Sequence, residues 1–443
     1  FFSVGAAWVL SEESFLKDIK PIDFLKLKFS YGEQGNDNIP NYLYTNTYSI
    51  VNSVGGPAAK PARMGNKDIT WEKGGNLNVG VDFELFKSRL NGTIEYFWRK
   101  TSDMLFQFSL PTSFGYTSYY DNVGDMKNSG IEITLDGTII KTKDVKWDLG
   151  VNLTQYKNHI SMLPDEKKTT VTPEGYKGYA NGNFFLGEGL SMYSYYMPEY
   201  AGVYNKNTWQ MTNDTKYDAS KDGLSMWYTT GYQMTTKADG TREVVKDTNG
   251  EMVESGKRAT TTDHSDAKDY IVGHMLPKVY GGFNTRIEFF GVDVSADFAY
   301  QLGGKVYDSQ YASFMAPATS KAKGSNIHED VLKSWSVGNQ GSNLPRYQFG
   351  DEDAGALSSR FLTKANYLNL QNLSVGYTLP ANITRKAKIE KVRVYMNASN
   401  VWLWSARRGL DPRTAMINSD YGSSNASYYS TVRTISAGVN VTF

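Results

Sequence analysis

The chain has no cysteine, only four histidines, and almost no charge excess: 47 Lys and Arg stand against 46 Asp and Glu, a formal net charge of +1. Without cysteine there is no disulfide scaffold, no Cys-ligated metal and no thiol nucleophile, and thiol pairing cannot indicate the compartment; an envelope protein is permitted. Near-neutral charge, with Lys and Arg scattered, removes the electrostatic footprint that nucleic acid requires as a partner. His159, His264, His274 and His328 show no metal-ligand spacing, and no Gly-x-Ser-x-Gly elbow accompanies them, so solvated loop histidines are expected rather than a catalytic set. Nor does any apolar run approach the ~18 residues of a membrane helix. That absence carries little weight for a transmembrane barrel, whose lipid-facing and lumen-facing residues alternate and cancel in the average.

What the chain does have is glycine and aromatic rings. With 41 Gly, 31 Tyr, 21 Phe and 9 Trp in 443 residues and a negative mean hydropathy, it is β-rich and heavy in turns, the opposite of a disordered composition. The length fits one large all-β domain or two or three ordinary ones. The opening phrase "FFSVGAAWVL" has no initiator Met or signal sequence and resembles the middle of a strand. A fragment lacking its N-terminal portion is therefore expected.

Alternation with period two recurs along the chain, and helical periodicity is almost absent. Leu25, Leu27, Phe29 and Tyr31 alternate with Lys26, Lys28 and Ser30; Leu77 to Leu85 and Leu90 to Trp98 form a hairpin about Lys87 and Ser88. Ile131 to Ile139, Trp147 to Leu153, Phe283 to Phe289, Val292 to Tyr300, Leu373 to Leu379, Val392 to Ala398 and the terminal "TISAGVNVTF" continue the pattern. With the opening segment this makes about eleven strands.

A soluble sandwich would also show such alternation. Two features favour a barrel in lipid. Aromatics gather near the ends of the apolar stripes (Tyr96, Phe97, Trp98, Tyr300, Trp402, Trp404), where an interfacial girdle would sit. Tight connections at 86–89 and 289–291 alternate with very long ones at 34–75, 157–277 and 303–360, the outer-membrane plan of short turns on one side and long loops on the other. In a barrel whose last strand pairs with its first, Val439, Val441 and the terminal Phe443 suit both closure of the seam and recognition by an outer-membrane assembly machine.

The phrases "FSYGEQGN" (29–36), "WEKGGNLNVGVDFELF" (71–86), "IEYFWRKTSDML" (94–105), "NVGDMKNSGIEI" (122–133), "LPRYQ" (344–348), "YLNLQNLSVGYTLP" (367–380), "VRVYMNASNVW" (392–402) and "GLDP" (409–412) occur in this order. In that order the chain resembles the SusC/RagA family of TonB-dependent outer-membrane transporters of Bacteroidetes over nearly its whole length. The resemblance implies an all-β transmembrane barrel of about 22 strands with a plugged lumen, of which residues 1–443 would be the C-terminal part. The plug and the TonB-contacting N-terminal segment would lie outside this chain. It further implies a SusD-like surface lipoprotein as lid, a TonB complex as energy source, and import of oligosaccharides, or of oligopeptides by the same mechanism. A secreted carbohydrate-binding sandwich is the alternative from another class, and no enzymatic activity is expected.

Aromatic loops are the expected ligand contacts, because a flat ring contributes apolar area at low entropic cost while a Tyr hydroxyl can hydrogen-bond. The residues singled out are Tyr119, Tyr120, Asp121, Asn122, Tyr195, Tyr196, Trp227, Tyr228, Tyr307 and Tyr311, with "SDYGSSNASYYS" (419–430) as a further Tyr-rich stretch. Bracing of loop on loop, contact with the lid and placement at the lipid interface compete with that role. No cofactor is expected. "DTNGEMV" (247–253) could hold calcium through Asp247, Asn249 and Glu251, but hard oxygens are few and an Asn-Gly turn accounts for the same residues more simply. Asp351 and Asp353 fit a solvated acidic loop, since nothing nearby would split their pKa values.

Overall fold

The computed structural model describes residues 1–36, 41–318, 326–413 and 431–443. One antiparallel sheet of eleven strands dominates, each strand paired with the next. They are β1 (Ser3–Val9), β2 (Ile22–Asn36), β3 (Glu72–Leu85), β4 (Leu90–Ser102), β5 (Asp125–Lys141) and β6 (Val145–Met162), followed by β7 (Val279–Phe289), β8 (Val292–Leu302), β9 (Tyr367–Thr378), β10 (Lys391–Ser405) and β11 (Thr434–Thr442). The strand number expected from alternation is the one found. Among the described residues no helix is long and apolar enough to cross a membrane, so strands form the wall, and their ladder satisfies the backbone polar groups that lipid cannot.

Register puts the apolar set on one face. Leu27 stands opposite Val81, Val81 opposite Ile94, Ile94 opposite Ile133, and Ile133 opposite Leu153. This row stays open to the surroundings, with Phe29 41% and Ile94 43% exposed. Apolar area left uncovered in water forgoes about 25 cal/mol per Å², whereas against acyl chains it loses nothing. The other face is polar and internally paired. Lys28 reaches Asp82 and Glu95, each at 3.0 Å, Thr93 donates to Asp82 at 2.9 Å, and Arg393 donates from Nε to Asp293 at 2.9 Å.

Connections differ by end. At one end the chain turns in residues 86–89, 142–144 and 290–291, and in short helical turns at 10–21 and 379–390. Phe290 and Gly291 both have positive φ (+47° and +86°), the geometry of a two-residue hairpin loop, and a Cβ on Gly291 would lie 2.8 Å from the Thr378 carbonyl. At the other end the connections occupy 37–71, 103–124, 163–278, 303–366 and 406–433, and the described parts fold into smaller sheets.

Two placements differ from the sequence expectation. Phe97 is buried, sits opposite Gly130, and faces the polar side, because a Cβ on Gly130 would come 2.9 Å from its ring and so only glycine leaves it room. It is not part of an interfacial girdle, unlike Tyr96, Trp402 and Trp404, which stand on the apolar face. Strand β9 carries an extra residue, Gln371, against β8: Leu370 pairs with Phe298 while Asn372 pairs with Asp297. The bulge reverses parity, so Leu368 and Leu370 join the outer row above Leu373, Val375 and Tyr377. At the C-terminus β11 pairs with β10, placing Val439 opposite Val394 and Val441 opposite Val392, and Phe443 extends beyond the ladder.

Substituting Ile94→Arg on the outer face is expected to destabilise the full-length protein by about 2–4 kcal/mol, measured as a shift in reversible folding into lipid vesicles. Wild-type behaviour of that variant would show that this face does not meet lipid.

Candidate functional site

The long connections 163–278 and 303–366 share one core, in which Tyr195, Met197, Tyr270, Val272 and Met275 pack against Tyr307, Ala312, Met315, Val331 and Phe361. From the second connection, helix α1 (Ser309–Met315) is capped by Asp308, whose carboxylate accepts the Tyr311 N–H at 3.0 Å and pairs with Arg407. The Arg360 guanidinium is enclosed between the Tyr200 and Phe361 rings and donates to the Ala354 carbonyl at 2.7 Å. Enclosure pulls the Arg360 pKa down and pushes the Tyr200 hydroxyl up to about 12. This is a braced body with side chains locked together, so surface features on it are held in place.

The ten residues singled out from the sequence separate into five groups. Tyr195, Trp227 and Tyr307 belong to the interior, at 0%, 1% and 8% exposure; they brace loop on loop and have no free face for a ligand. Asp121 and Asn122 are also braces. Asp121 accepts from Asn66 at 3.0 Å, and the Asn122 amide accepts from the Thr70 N–H at 2.7 Å and donates to the Thr70 and Asp103 carbonyls at 2.8 and 2.9 Å. With its amide so engaged, Asn122 has no donor left for substrate. Tyr119 stacks on Phe108 at 5.1 Å, and Tyr120 lies half-buried beside it, both in a separate small sheet. Tyr311 donates to Asp330 at 3.0 Å and lies under Arg407 at 4.6 Å, again an internal network.

Tyr196 lines an opening, and Tyr228 stands behind its wall against Arg258. Between strand Asp269–His274 and strands Ser225–Tyr232 and Glu254–Thr261 lies a cleft of about 580 Å³, lined by Glu174, Tyr196, Arg258, Lys268, Asp269 and Tyr270 among others. The Arg258 guanidinium is sandwiched between the rings of Tyr228 (3.7 Å) and Tyr270 (3.9 Å) and donates to Glu199 at 2.6 Å. Glu174 accepts the Ile271 N–H at 3.1 Å. The Asp269 carboxylate has no side-chain hydrogen bond among the described residues, and burial pushes its pKa above the usual range, opposed by His264. The cleft can offer carboxylates, a lysine and ring edges to a polar oligomer. Sequence reading missed Arg258, Lys268 and Asp269, although the short alternation in "DYIVGH" could have flagged the strand that begins at Asp269.

The remaining expectations land as follows. Asp247 turns its carboxylate onto its own backbone, accepting from the Asn249 and Glu251 N–H groups at 2.9 Å each, with Gly250 at φ +84° and a bridge between Lys246 and Met252. Asp351 accepts the Ala354 N–H, and Asp353 accepts the His264 N–H at 3.3 Å. Residues 419–430 lie outside the described residues.

An apolar-faced antiparallel wall, short turns at one end and a braced loop body at the other are the geometry with which known proteins can be compared. The model for "TonB dependent receptor-like, beta-barrel" matches residues 1–250. The chain belongs to the TonB-dependent receptor β-barrel family. Within it, the chain is 28% identical to TonB-dependent receptor P3 of Formosa agariphila, over all of this chain and 42% of that protein. To TonB-dependent receptor SusC of Bacteroides thetaiotaomicron it is 25% identical, over 93% of this chain and 37% of SusC. Among solved structures it superposes on the RagAB peptide transporter with a TM-score of 0.75 at 25% identity, over 100% of this chain and 43% of that one. The likeness is thus to the SusC/RagA type, an outer-membrane barrel, and the chain spans about four-tenths of the length of these relatives.

Two measurements check the loop body. Ionised Asp269 opposes folding while its pKa is raised, so the penalty exists at neutral pH and vanishes as pH falls through the folded pKa. Asp269→Asn should therefore increase hydrogen-exchange protection of strand Asp269–His274 at pH 7 and leave it unchanged in acid. Arg258→Lys should lose about 1–2 kcal/mol of local stability by the same readout, because an ammonium cannot stack flat between two rings.

Proposed function

We propose that this chain is the C-terminal part of a TonB-dependent importer that carries an oligomeric nutrient across the outer membrane. The observation that carries the reading is the eleven-strand wall, apolar outside and ion-paired inside, which superposes along its whole length on the RagAB transporter. In this reading the full protein adds about eleven further strands, a plug and a TonB-contacting segment. β11, with Val439, Val441 and Phe443, makes the closing seam, and a SusD-like surface lipoprotein caps the loop end. Transport is binding and gating; it breaks no bond and needs no cofactor.

Oligosaccharides are the first cargo class, supported by rings that remain open on the loops: Tyr42, Tyr44 and Tyr48 are each more than half exposed. Such rings can lie against sugar faces while their hydroxyls bond to sugar hydroxyls. A second class, oligopeptides, is favoured by the mixed charge of the cleft around Lys268 and Asp269, which suits a chain carrying both ammonium and carboxylate groups.

Calorimetric titration of the purified full-length protein with defined oligosaccharide and oligopeptide mixtures tests the reading, together with growth of a deletion strain on each class. Uptake of one class should be lost on deletion. Unimpaired growth of the deletion strain on every oligomer, with no binding heat for either mixture, would remove the importer reading.

A further inference from the structure

On the outer wall, at the long-connection end, the apolar rows stop abruptly at lysines. Along β4 the outward residues run Ile94, Tyr96, Trp98 and then Lys100; along β5, Ile133, Ile131, Ser129 and then Lys127; along β6, Leu153, Gln155 and then Lys157 and His159; along β3, Leu77, Gly75 and then Lys73. Their outward direction follows from what faces the other way. Phe97, Gly130 and Tyr156 meet on the inner face, and Asn128 bonds Asn158 there at 2.8 Å, so the alternate residues Lys100, Lys127, Lys157 and His159 point out. Register between β3, β4 and β5 is unbroken through this stretch, and between β5 and β6 it is unbroken as far as Ile160.

Lys100 and Lys127 share one rung of the ladder, with Lys73 one outward position beyond it on β3 and Lys157 one outward position short of it on β6, so the four form a diagonal band across four neighbouring strands. Lys100 stands directly opposite Lys127, Lys127 opposite His159, Ser129 opposite Lys157, and Gly75 opposite Lys100. Like charges placed opposite one another on neighbouring strands weaken a sheet, so stability alone gives no reason for this arrangement. Part of the charge is balanced locally: Lys100 pairs with Asp125 at 2.7 Å, Lys73 pairs with Asp103 at 2.9 Å, and Glu33 lies opposite Gly75. Among the described residues Lys127 and Lys157 have no ion-pair partner. Two uncompensated ammonium groups with two more beside them, Lys157 on the rung of Trp98 and the others beyond it, stand where acyl chains would end and headgroups begin.

We propose that Lys73, Lys100, Lys127 and Lys157 form a binding site on the outer wall for the phosphates of an outer-leaflet glycolipid. The occupant is argued from charge complementarity and position: a phosphate-bearing lipid places its acyl chains along Ile94, Tyr96 and Ile131 and its anionic head at the height of the lysines. Nutrient binding plays no part in this site, which lies on the opposite face of the wall from the lumen. It does rest on the outer-membrane placement of the barrel.

The test uses the purified full-length protein in detergent, with bisphosphorylated lipid A and the same lipid after phosphatase treatment as probes, read by native mass spectrometry. The comparison variant is Lys100→Gln with Lys127→Gln and Lys157→Gln. Each lysine near an anionic headgroup is worth roughly a factor of five in affinity, so the triple variant should bind the phosphorylated probe about a hundredfold more weakly. Wild type should prefer the phosphorylated over the dephosphorylated probe by a comparable factor. Equal binding of the two probes by wild type, or equal binding of the phosphorylated probe by wild type and variant, would overturn the site while leaving the barrel in its membrane. So would loss of an acidic protein partner, rather than of lipid, in the variant. Heat-modifiable gel migration verifies that the variant is folded; if it is not, the single changes Lys127→Gln and Lys157→Gln carry the test, each with an expected fivefold loss.

Discussion

Everything in this molecule depends on one constraint: within hydrocarbon each backbone N–H and C=O must find its partner inside the protein. An antiparallel meander meets it one strand at a time, and the ladder from β1 to β11 has no gap. Once the ladder is set, side chains alternate, and every residue of the wall is committed to one of two solvents. That is why Leu27, Val81, Ile94 and Ile133 stand in one row and Lys28, Asp82 and Glu95 in the other. The inner row needs its own solution, since charged groups crowd there on neighbouring strands. It answers with ion pairs across and along strands, such as Lys28 with Asp82 and Glu95, and Arg393 with Asp293.

The loop body is built on a different economy. Freed from lipid, its sheets are short, and they are held by aromatic rings, enclosed arginines and cap residues instead of a long ladder. Arg258 between Tyr228 and Tyr270, Arg360 against Tyr200 and Phe361, and Arg407 over Tyr311 repeat one device: a flat cation neutralises its own burial by lying on ring faces. These contacts consume ring faces that would otherwise be open to ligand. Composition alone therefore overstates the recognition surface of the loops.

The wall was legible in the sequence because period two is a backbone property that survives any tertiary detail; strand number, hairpins and the asymmetry of connections all follow from it. Gln371 escaped because a bulge leaves no mark in composition, and Phe97 because its inward seat depends on a glycine opposite it on the next strand, 33 residues further along the chain. The loops were legible only as aromatic and polar. Whether a tyrosine is a brace, as Tyr195 is, or lines an opening, as Tyr196 does, depends on parity within a five-residue strand and on what packs above it. Asn122 illustrates the same limit: its neighbours in sequence suggested substrate hydroxyls, while its partners in space are the backbone of residues 70 and 103.

The bulge at Gln371 has a wider meaning for how such a wall tolerates change. Because oil and water take turns residue by residue, a single insertion or deletion in any stave inverts the polarity of everything beyond it, and a length change survives only where a compensating kink absorbs it. Gln371 is one such phase shifter: below it odd-numbered residues of β9 meet the bilayer, above it even-numbered ones do. Evolutionary lengthening of this barrel is therefore confined to the loops and to positions of this kind.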